Sequence, residues 1–239
     1  MTRPAEFQYC QFAKEGYLVL ENALSSDELR RLQTAFDRCA AAARPAWVRE
    51  VAAGTRPAVF FDIPDPLSQE PLFLELIDHP SYIDLLLAFT NGELLFIGPQ
   101  FRVVPSSPLS YVGWHYDVDR QNTPTHLKIQ LYVEDVSADG GPFAFVPGSH
   151  KLDSGPYPPV RRLESMPGHR TFPGRAGSVV LFDSFGLHTS MVNRTGRARK
   201  SIILIYEKWS AENFAGQRYA HLAERLDTPL RRRLFGLER

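Results

Sequence analysis

Two histidines and one aspartate stand at positions from which they could hold a metal ion. In the stretch Gly113 to Arg120, His115 and Asp117 lie two residues apart in what the sequence predicts to be a β-strand. Side chains at i and i+2 of a strand point to the same side, so the two would share a face. A second stretch, Gly177 to Phe182, predicts an apolar strand that leads through a turn to His188. Two histidines and one carboxylate from separate strands can occupy one face of an octahedral ferrous ion and leave three positions open.

A basic segment follows His188 and could bind an anion beside such a metal. Arg199 and Ser201 share one face of the next predicted strand, and a guanidinium beside a hydroxyl suits the far carboxylate of a metal-chelated dicarboxylic acid such as 2-oxoglutarate. Arg197 has the same strand parity and is the main rival of Arg199. The alternatives are plain ones: a His-x-Asp pair also occurs on a surface strand with a polar face, and the arginines could form a solvated turn.

Helices that would support these strands are predicted near the N-terminus. Ser25 and Glu28 have the spacing of a capping box, and the helix they open is predicted to run to about Ala43. A second helical region covers about Gln69 to Phe89, with a break at His79-Pro80, because proline cannot continue the helical hydrogen bonds.

The character of the chain changes after Gly92. Short β-branched or aromatic runs are separated by Gly, Pro, Ser and Asn, and they predict strands over Leu94 to Val104, Tyr111 to Val118, Leu127 to Val136, Phe143 to Val146, Ser178 to Phe182 and Ser201 to Tyr206. From Leu127 to Val133 apolar and polar residues alternate, so the polar face could line a cavity. Thr228-Pro229 predicts the start of a short basic helix.

This order of elements predicts one domain over residues 1–239. It is mainly β with flanking α-helices: N-terminal helices over about 25–90, a cupin-like double-sheet barrel of the jelly-roll kind over about 93–209, and a helical tail.

Composition excludes several classes of protein. The 239 residues include 27 Lys plus Arg and 27 Asp plus Glu, and this balance argues against a general role on nucleic acid or on an anionic membrane. Cys10 and Cys39 have no metal-ligand spacing, so a disulfide scaffold or zinc knuckle is not expected. The N-terminus lacks an apolar signal core, and no apolar run reaches the roughly 20 residues needed to span a bilayer. We therefore expect a cytoplasmic protein.

The chain resembles the phytanoyl-CoA dioxygenase family of iron(II)- and 2-oxoglutarate-dependent oxygenases over most of its length. The matching motifs are Gly16 to Val19, Trp114 to Asp117, Gly140 to Pro142, Val146 to Lys151 and Gly177 to Phe182, followed by His188, by Asn193 five residues later and by Arg199 eleven residues later. Each motif is ordinary, but their order and spacing together are specific. The resemblance implies a double-stranded β-helix, or jelly roll, with iron held by His115, Asp117 and His188.

The same resemblance implies the contacts of the co-substrate. Arg199 would bind the distal carboxylate of 2-oxoglutarate, Ser190 would assist it, and Gln130 and Gln100 would be further contacts. His150, in a Pro-Gly-Ser-His turn, is expected to hold a loop by hydrogen bonds.

The implied enzyme uses Fe(II), 2-oxoglutarate and dioxygen, and releases succinate and carbon dioxide as it hydroxylates an unactivated C–H bond of a small molecule. Asp117 favours hydroxylation over halogenation, because related halogenases replace this carboxylate with a small residue. Desaturation, cyclisation and epoxidation use the same three ligands. The expected substrate is an amino acid, a lipid acid or a secondary-metabolite intermediate, and the expected assembly is a monomer or homodimer.

Two readings from other classes stay open at this point. A non-catalytic jelly-roll binding module would not need the full set of His115, Asp117, His188 and Arg199. A cupin-type metal hydrolase or isomerase would use the barrel and the ligands but would give Arg199 no role. Succinate release that depends on 2-oxoglutarate would separate these readings.

Overall fold

Helices precede most of the strands along the chain. The structure, a computed structural model, describes residues 6–106, 112–119, 125–160, 166–210 and 218–238. The helices are α1 (Glu6–Glu15), α2 (Ser26–Ala52), α3 (Pro66–Gln69), α4 (Pro71–Glu75), α5 (Ile83–Phe89) and α6 (Pro229–Leu234), with a 3-10 helix over Ala220–Arg225. The strands are β1 (Tyr17–Leu20), β2 (Phe61–Asp62), β3 (Leu94–Val104), β4 (His126–Tyr132), β5 (Phe143–Phe145), β6 (Arg170–Phe172), β7 (Val179–Asp183), β8 (His188–Ser190) and β9 (Arg199–Lys208). In this described part of the chain no helix combines the length and apolar character that crossing a membrane requires.

The strands form two antiparallel sheets of a jelly roll, which confirms the predicted fold class. The larger sheet has the order β1-β7-β4-β9-β3-β2, and the smaller has the order β6-β5-β8. Strands that are neighbours in the larger sheet are distant in sequence, so its centre brings together segments from 126–132, 179–183 and 199–208.

The larger sheet separates two environments. Its outward residues, among them Leu127, Ile129 and Leu131 of β4, pack with the helices in the main hydrophobic core. Residues of opposite parity point toward the smaller sheet, where Tyr132 and Phe182 pack with Phe143 and Phe145. The alternation predicted for β4 is therefore present, and its polar face lines the space between the two sheets.

The first long helix begins as predicted but ends later. The Ser25 hydroxyl accepts a hydrogen bond from the Glu28 amide at 3.3 Å, and Glu28 Oε2 accepts one from the Ser25 amide at 2.7 Å. The predicted end at Ala43 is wrong, because α2 continues through Pro45 to Ala52. Proline inside a helix costs about 3 kcal/mol. Packing beyond the proline offsets that cost, since the Trp47 ring lies 5.0 Å from the Phe61 ring.

The second helical region is split into three short helices. The break at His79-Pro80 is present between α4 and α5, and the region begins at Pro66, three residues before the predicted Gln69. Five elements were not predicted from the sequence, namely the helix α1, the strands β2, β6 and β8, and the 3-10 helix over Ala220–Arg225. Each of these strands has three residues or fewer, which is too short for alternation to identify.

The prediction of a regular strand over Tyr111 to Val118 is wrong. Tyr111 lies outside the described residues, and within 112–119 the chain forms one β-bridge, between His115 and His188. Gly113 has φ of +90°, in the left-handed region that glycine favours, and this interrupts an extended strand.

Two of the family-like motifs meet at the start of β1. Gly16 has φ of +83°, and a Cβ at this position would lie 2.5 Å from Nδ1 of His150. His150 Nε2 lies 3.2 Å from the Ala13 carbonyl, and the Gly148 amide donates to the Glu15 carbonyl at 2.9 Å. His150 thus packs against the end of α1, in keeping with the structural role expected for it.

Candidate metal centre

The two candidate histidine ligands are joined through their backbones. The His115 amide donates to the His188 carbonyl at 3.0 Å, and the His188 amide donates to the His115 carbonyl at 3.1 Å. The two rings lie 4.5 Å apart between centroids. The Asp117 amide donates to the Ser184 carbonyl at 3.3 Å, so the segment carrying Asp117 also runs beside the approach to β8.

Both imidazole rings are oriented by a carbonyl two residues earlier in the chain. Nδ1 of His115 lies 2.8 Å from the Gly113 carbonyl, and Nδ1 of His188 lies 2.9 Å from the Gly186 carbonyl. A carbonyl only accepts hydrogen bonds, so this geometry assigns the proton to Nδ1 and leaves the Nε2 lone pair available to a metal. Backbone partners of this kind fix the tautomer and ring orientation of metal-binding histidines.

The Asp117 carboxylate faces both Nε2 atoms. Oδ1 lies 3.8 Å from His115 Nε2, and Oδ2 lies 3.2 Å from His188 Nε2. One ligand atom from each of the three residues lies within 4.8 Å of the others. Asp117 Oδ2 is buried and has no hydrogen-bond partner among the described residues.

These residues fit a divalent metal. Two unprotonated ring nitrogens and a carboxylate oxygen direct their lone pairs toward a shared position. A cation at that position would remove the repulsion between them. Burial raises the pKa of Asp117, but a proton on the facing His188 ring nitrogen and the charge of Lys128 lower it by more, so the pKa lies well below its usual range. Burial and the nearby His188 lower the pKa of His115. Both shifts favour the deprotonated forms that bind metals.

A lysine that sequence reasoning did not identify reaches this carboxylate. Lys128 Nζ lies 2.6 Å from Asp117 Oδ1, and the two side chains are 10% and 15% exposed. Burial lowers the pKa of Lys128, and the Asp117 charge opposes that shift. The alternation of β4 indicated that Lys128 could face a cavity, but the sequence gives no sign of which group it would meet.

The candidate anion site begins with Arg199, which is buried at 6% exposure. Its NH1 donates to the Gly141 carbonyl, while its Nε has no hydrogen-bond partner in the described part of the chain. Burial lowers the pKa of Arg199 to about 10, so the guanidinium keeps its charge at neutral pH. A buried and incompletely paired guanidinium is costly unless an anion joins it. Arg197, its rival, is exposed in the preceding turn.

Further polar groups lie on the same inner face as Arg199. Gln130 Nε2 and Ser201 Oγ are buried without a hydrogen-bond partner among the described residues. Gln130 and Gln100 both pair in register with Ile203, from opposite sides of β9. Unpaired buried donors on the same face as a guanidinium fit a dicarboxylate ligand such as 2-oxoglutarate. The sequence predicted Ser201 on the same strand face as Arg199, with its hydroxyl suited to the same carboxylate.

The other predicted residues take different positions. Ser190 is half-buried on the same face of β8 as His188, two residues along the strand from it. Asn193 closes the turn before β9, since its Oδ1 accepts from the Thr195 amide at 3.0 Å and its Nδ2 donates to the Arg197 carbonyl at 2.8 Å. The turn that Asn193 closes therefore connects β8, which carries His188, to β9, which begins at Arg199.

A jelly roll with two histidines and one carboxylate on adjoining segments defines a metal-dependent β-barrel protein. Residues 12–201 match the family model of phytanoyl-CoA dioxygenase (PhyH), and the chain belongs to this family. It is an Fe(II)- and 2-oxoglutarate-dependent oxygenase, as the resemblance of its motifs indicated.

Known relatives agree with this assignment. The ectoine dioxygenase of Bordetella bronchiseptica is 25% identical over 240 residues, which cover 86% of this chain and 75% of that enzyme. The L-proline trans-4-hydroxylase of Streptomyces griseoviridis is 21% identical over 259 residues, covering 92% of each chain. Among solved structures, EctD from S. alaskensis with bound Fe has a TM-score of 0.64 at 20% identity, covering 85% of this chain and 76% of that one. The named substrates of the two relatives are small molecules.

Proposed function

We propose that His115, Asp117 and His188 hold the Fe(II), that Arg199 binds the distal carboxylate of 2-oxoglutarate, and that the enzyme hydroxylates a small amino acid. One observation carries this proposal: a cluster of two imidazoles and a carboxylate, in which His188 is buried and the other two residues are half-buried, shares the space between the sheets with a buried, incompletely paired guanidinium. A binding module or a hydrolase would have no use for that guanidinium.

The chain's own residues would bind and orient. When bound, the iron and 2-oxoglutarate supply the oxidising chemistry, with succinate and carbon dioxide as products. The carbonyls of Gly113 and Gly186 hold the two imidazole rings in place. Gln130 and Ser201 offer buried donors along the inner face toward Arg199, and Gln100 and Ser190 are further contacts. The rings of Phe143 and Phe182, 5.6 and 5.0 Å from the His188 ring, exclude water from that ligand.

The lining supports an amino acid rather than a lipid acid as the substrate. The inner face of the larger sheet carries His126, Lys128 and Gln130 on β4, and it carries Arg102, which binds both oxygens of Asp62 at 2.8 and 2.9 Å. Such a lining solvates a charged or zwitterionic molecule and offers little to an acyl chain. The relatives named for ectoine and L-proline support the same class.

We further propose one domain over residues 1–239, present as a monomer or homodimer in the cytoplasm and without a nucleic-acid or membrane partner. The equal numbers of basic and acidic residues support the last part of this proposal, that nucleic acid and anionic membranes are not partners. Light scattering coupled to gel filtration checks the assembly, and a trimer or larger would contradict it.

The function is tested by incubating the Fe(II)-loaded enzyme with 2-oxoglutarate and a panel of free amino acids, cyclic ones included. Succinate and a product heavier by one oxygen atom are measured by mass spectrometry. The expected result is product with at least one amino acid in the native protein and none in Asp117→Ala. Product formed only from acyl substrates would contradict the proposal that the substrate is an amino acid. Absence of 2-oxoglutarate-dependent succinate release would contradict the proposed oxygenase activity.

A further inference from the structure

Lys128 makes one of the shortest polar contacts at the metal centre, and the function proposed above counts it only as part of the polar lining and gives it no role toward the metal. We propose that Lys128 is a positioning residue that decides which oxygen of Asp117 binds the metal. The inference rests on the function proposed above, because it concerns the same metal ligands.

The two oxygens of Asp117 have different surroundings. Oδ1 is held by Lys128 Nζ at 2.6 Å, whereas Oδ2 has no hydrogen-bond partner in the described residues and lies 3.2 Å from His188 Nε2. The oxygen that is free of a donor is thus the one nearest a histidine ligand atom. This asymmetry marks Oδ2 as the metal ligand and Oδ1 as the oxygen that is kept away.

Burying the ammonium group of Lys128 is unfavourable unless an opposite charge compensates it. Its side chain lies on the inner face of β4 between His126 and Gln130 and is buried, and burial disfavours a charged group. Asp117 is the carboxylate with which it pairs in the described part of the chain. A buried ammonium is retained only with such a partner, so Lys128 and Asp117 define each other's placement.

Holding one oxygen has a consequence for the metal. A carboxylate can bind a metal through one oxygen or through both. With Oδ1 held by Lys128, Asp117 takes one coordination position, and three positions stay open for the co-substrate and dioxygen. Without the ammonium, the carboxylate can turn and chelate through both oxygens, which removes one of the open positions.

The positive charge of Lys128 is expected to weaken metal binding, even though its contact with Asp117 favours turnover. An ammonium near a divalent cation repels it, and the repulsion is strong in a buried site. Removing Lys128 should therefore leave the affinity for metal alone unchanged or higher, even as turnover falls. A residue needed only for folding would lower metal affinity and turnover together.

The test compares Lys128→Met, which keeps the side-chain stem without the ammonium, with Lys128→Arg, which keeps a cation. Lys128→Gln is a second neutral variant in case the methionine protein does not fold. Lys200→Met is the matched control, because Lys200 pairs with Asp37 and Glu134 on the other face of the larger sheet, at 2.8 and 2.6 Å. Three quantities are measured for each: anaerobic Fe(II) affinity, the mode of Asp117 coordination by X-ray absorption, and 2-oxoglutarate turnover.

For Lys128→Met we expect a turnover roughly 10–100-fold below native, Fe(II) affinity equal to or above native, and a carboxylate that binds through both oxygens. Lys128→Arg should recover most of the turnover, and Lys200→Met should match the native protein. Native turnover with native coordination in Lys128→Met would overturn the inference. If the native protein itself forms no complex with Fe(II) and 2-oxoglutarate, the proposed function fails instead, so the two failures are distinguishable.

Discussion

His115 and His188 exchange both backbone hydrogen bonds of one antiparallel bridge, at 3.0 and 3.1 Å, although 72 residues separate them along the chain. The bridge fixes the separation of the two backbones, and the two rings lie 4.5 Å apart between centroids. Each ring is then fixed by a carbonyl at its own i−2 position. We conclude that the backbone preorganises the metal centre, so its geometry should be sensitive to changes in that backbone.

The turn before His188 provides the first prediction. A Cβ on Gly186 would lie 2.0 Å from the Phe145 ring, and the Gly186 carbonyl orients His188. Gly186→Ala should lower the free energy of unfolding by about 1–3 kcal/mol and weaken Fe(II) binding by roughly 10–100-fold. Urea unfolding and anaerobic Fe(II) titration measure the two effects.

Gly196→Ala is the control for this substitution. A Cβ on Gly196 would meet no atom within 4 Å, so this variant should stay within about 0.5 kcal/mol of native stability. Native metal affinity in a folded Gly186→Ala protein would show that the Gly186 carbonyl does not orient His188.

The second prediction concerns the co-substrate. Arg199→Gln removes the buried guanidinium, so the KM for 2-oxoglutarate should rise by at least about tenfold, since hydrogen bonds to a charged group are worth roughly 1.5–3 kcal/mol. Arg197→Gln should leave KM unchanged, because Arg197 is exposed and lies outside β9. Succinate release against 2-oxoglutarate concentration measures both variants. A reversed order would assign the carboxylate to Arg197.

The third prediction is a pH dependence of the metal-free protein. Burial lowers the pKa of His126 to about 4, whereas a histidine in the unfolded chain has a pKa near 6.5. Between these values the unfolded chain binds the proton and the folded chain does not. Stability from His126 is thus fully present above about pH 6.5 and is lost as pH falls toward about 4, by at most about 3 kcal/mol.

His126→Gln tests that dependence, because glutamine does not titrate. The native protein's stability relative to this variant should decline as the pH falls through this range, as measured by urea unfolding in the presence of a chelator. A difference that does not vary with pH would mean that His126 is protonated as easily in the folded protein as in the unfolded one.

Sequence reasoning reached the metal ligands through a partly wrong structure. His115 and Asp117 were expected to share the face of a regular strand, and their side chains do meet, but on a segment that Gly113 interrupts and that forms one bridge. The i, i+2 relation survives in any locally extended segment, so the pairing was predictable even though the strand was not.

Contacts that depend on the paths of distant segments were beyond the sequence. Alternation predicted that the polar face of β4 would line a cavity, but the contact of Lys128 with Asp117 depends on where the segment carrying Asp117 lies relative to β4 in the folded protein. Arg197 and Arg199 have the same parity, and only the turn closed by Asn193 decides which of them is buried. Pattern fixes a face, whereas tertiary packing selects the partner.

The central claim is that His115, Asp117 and His188 hold Fe(II) in a form that 2-oxoglutarate can chelate. The most direct measurement is an anaerobic titration of Fe(II) and 2-oxoglutarate into the metal-free protein, followed by the weak visible charge-transfer band of the chelate. We predict that the band forms in the native protein and is lost or altered in Asp117→Ala. A folded native protein that forms no band at saturating Fe(II) and 2-oxoglutarate would contradict the claim.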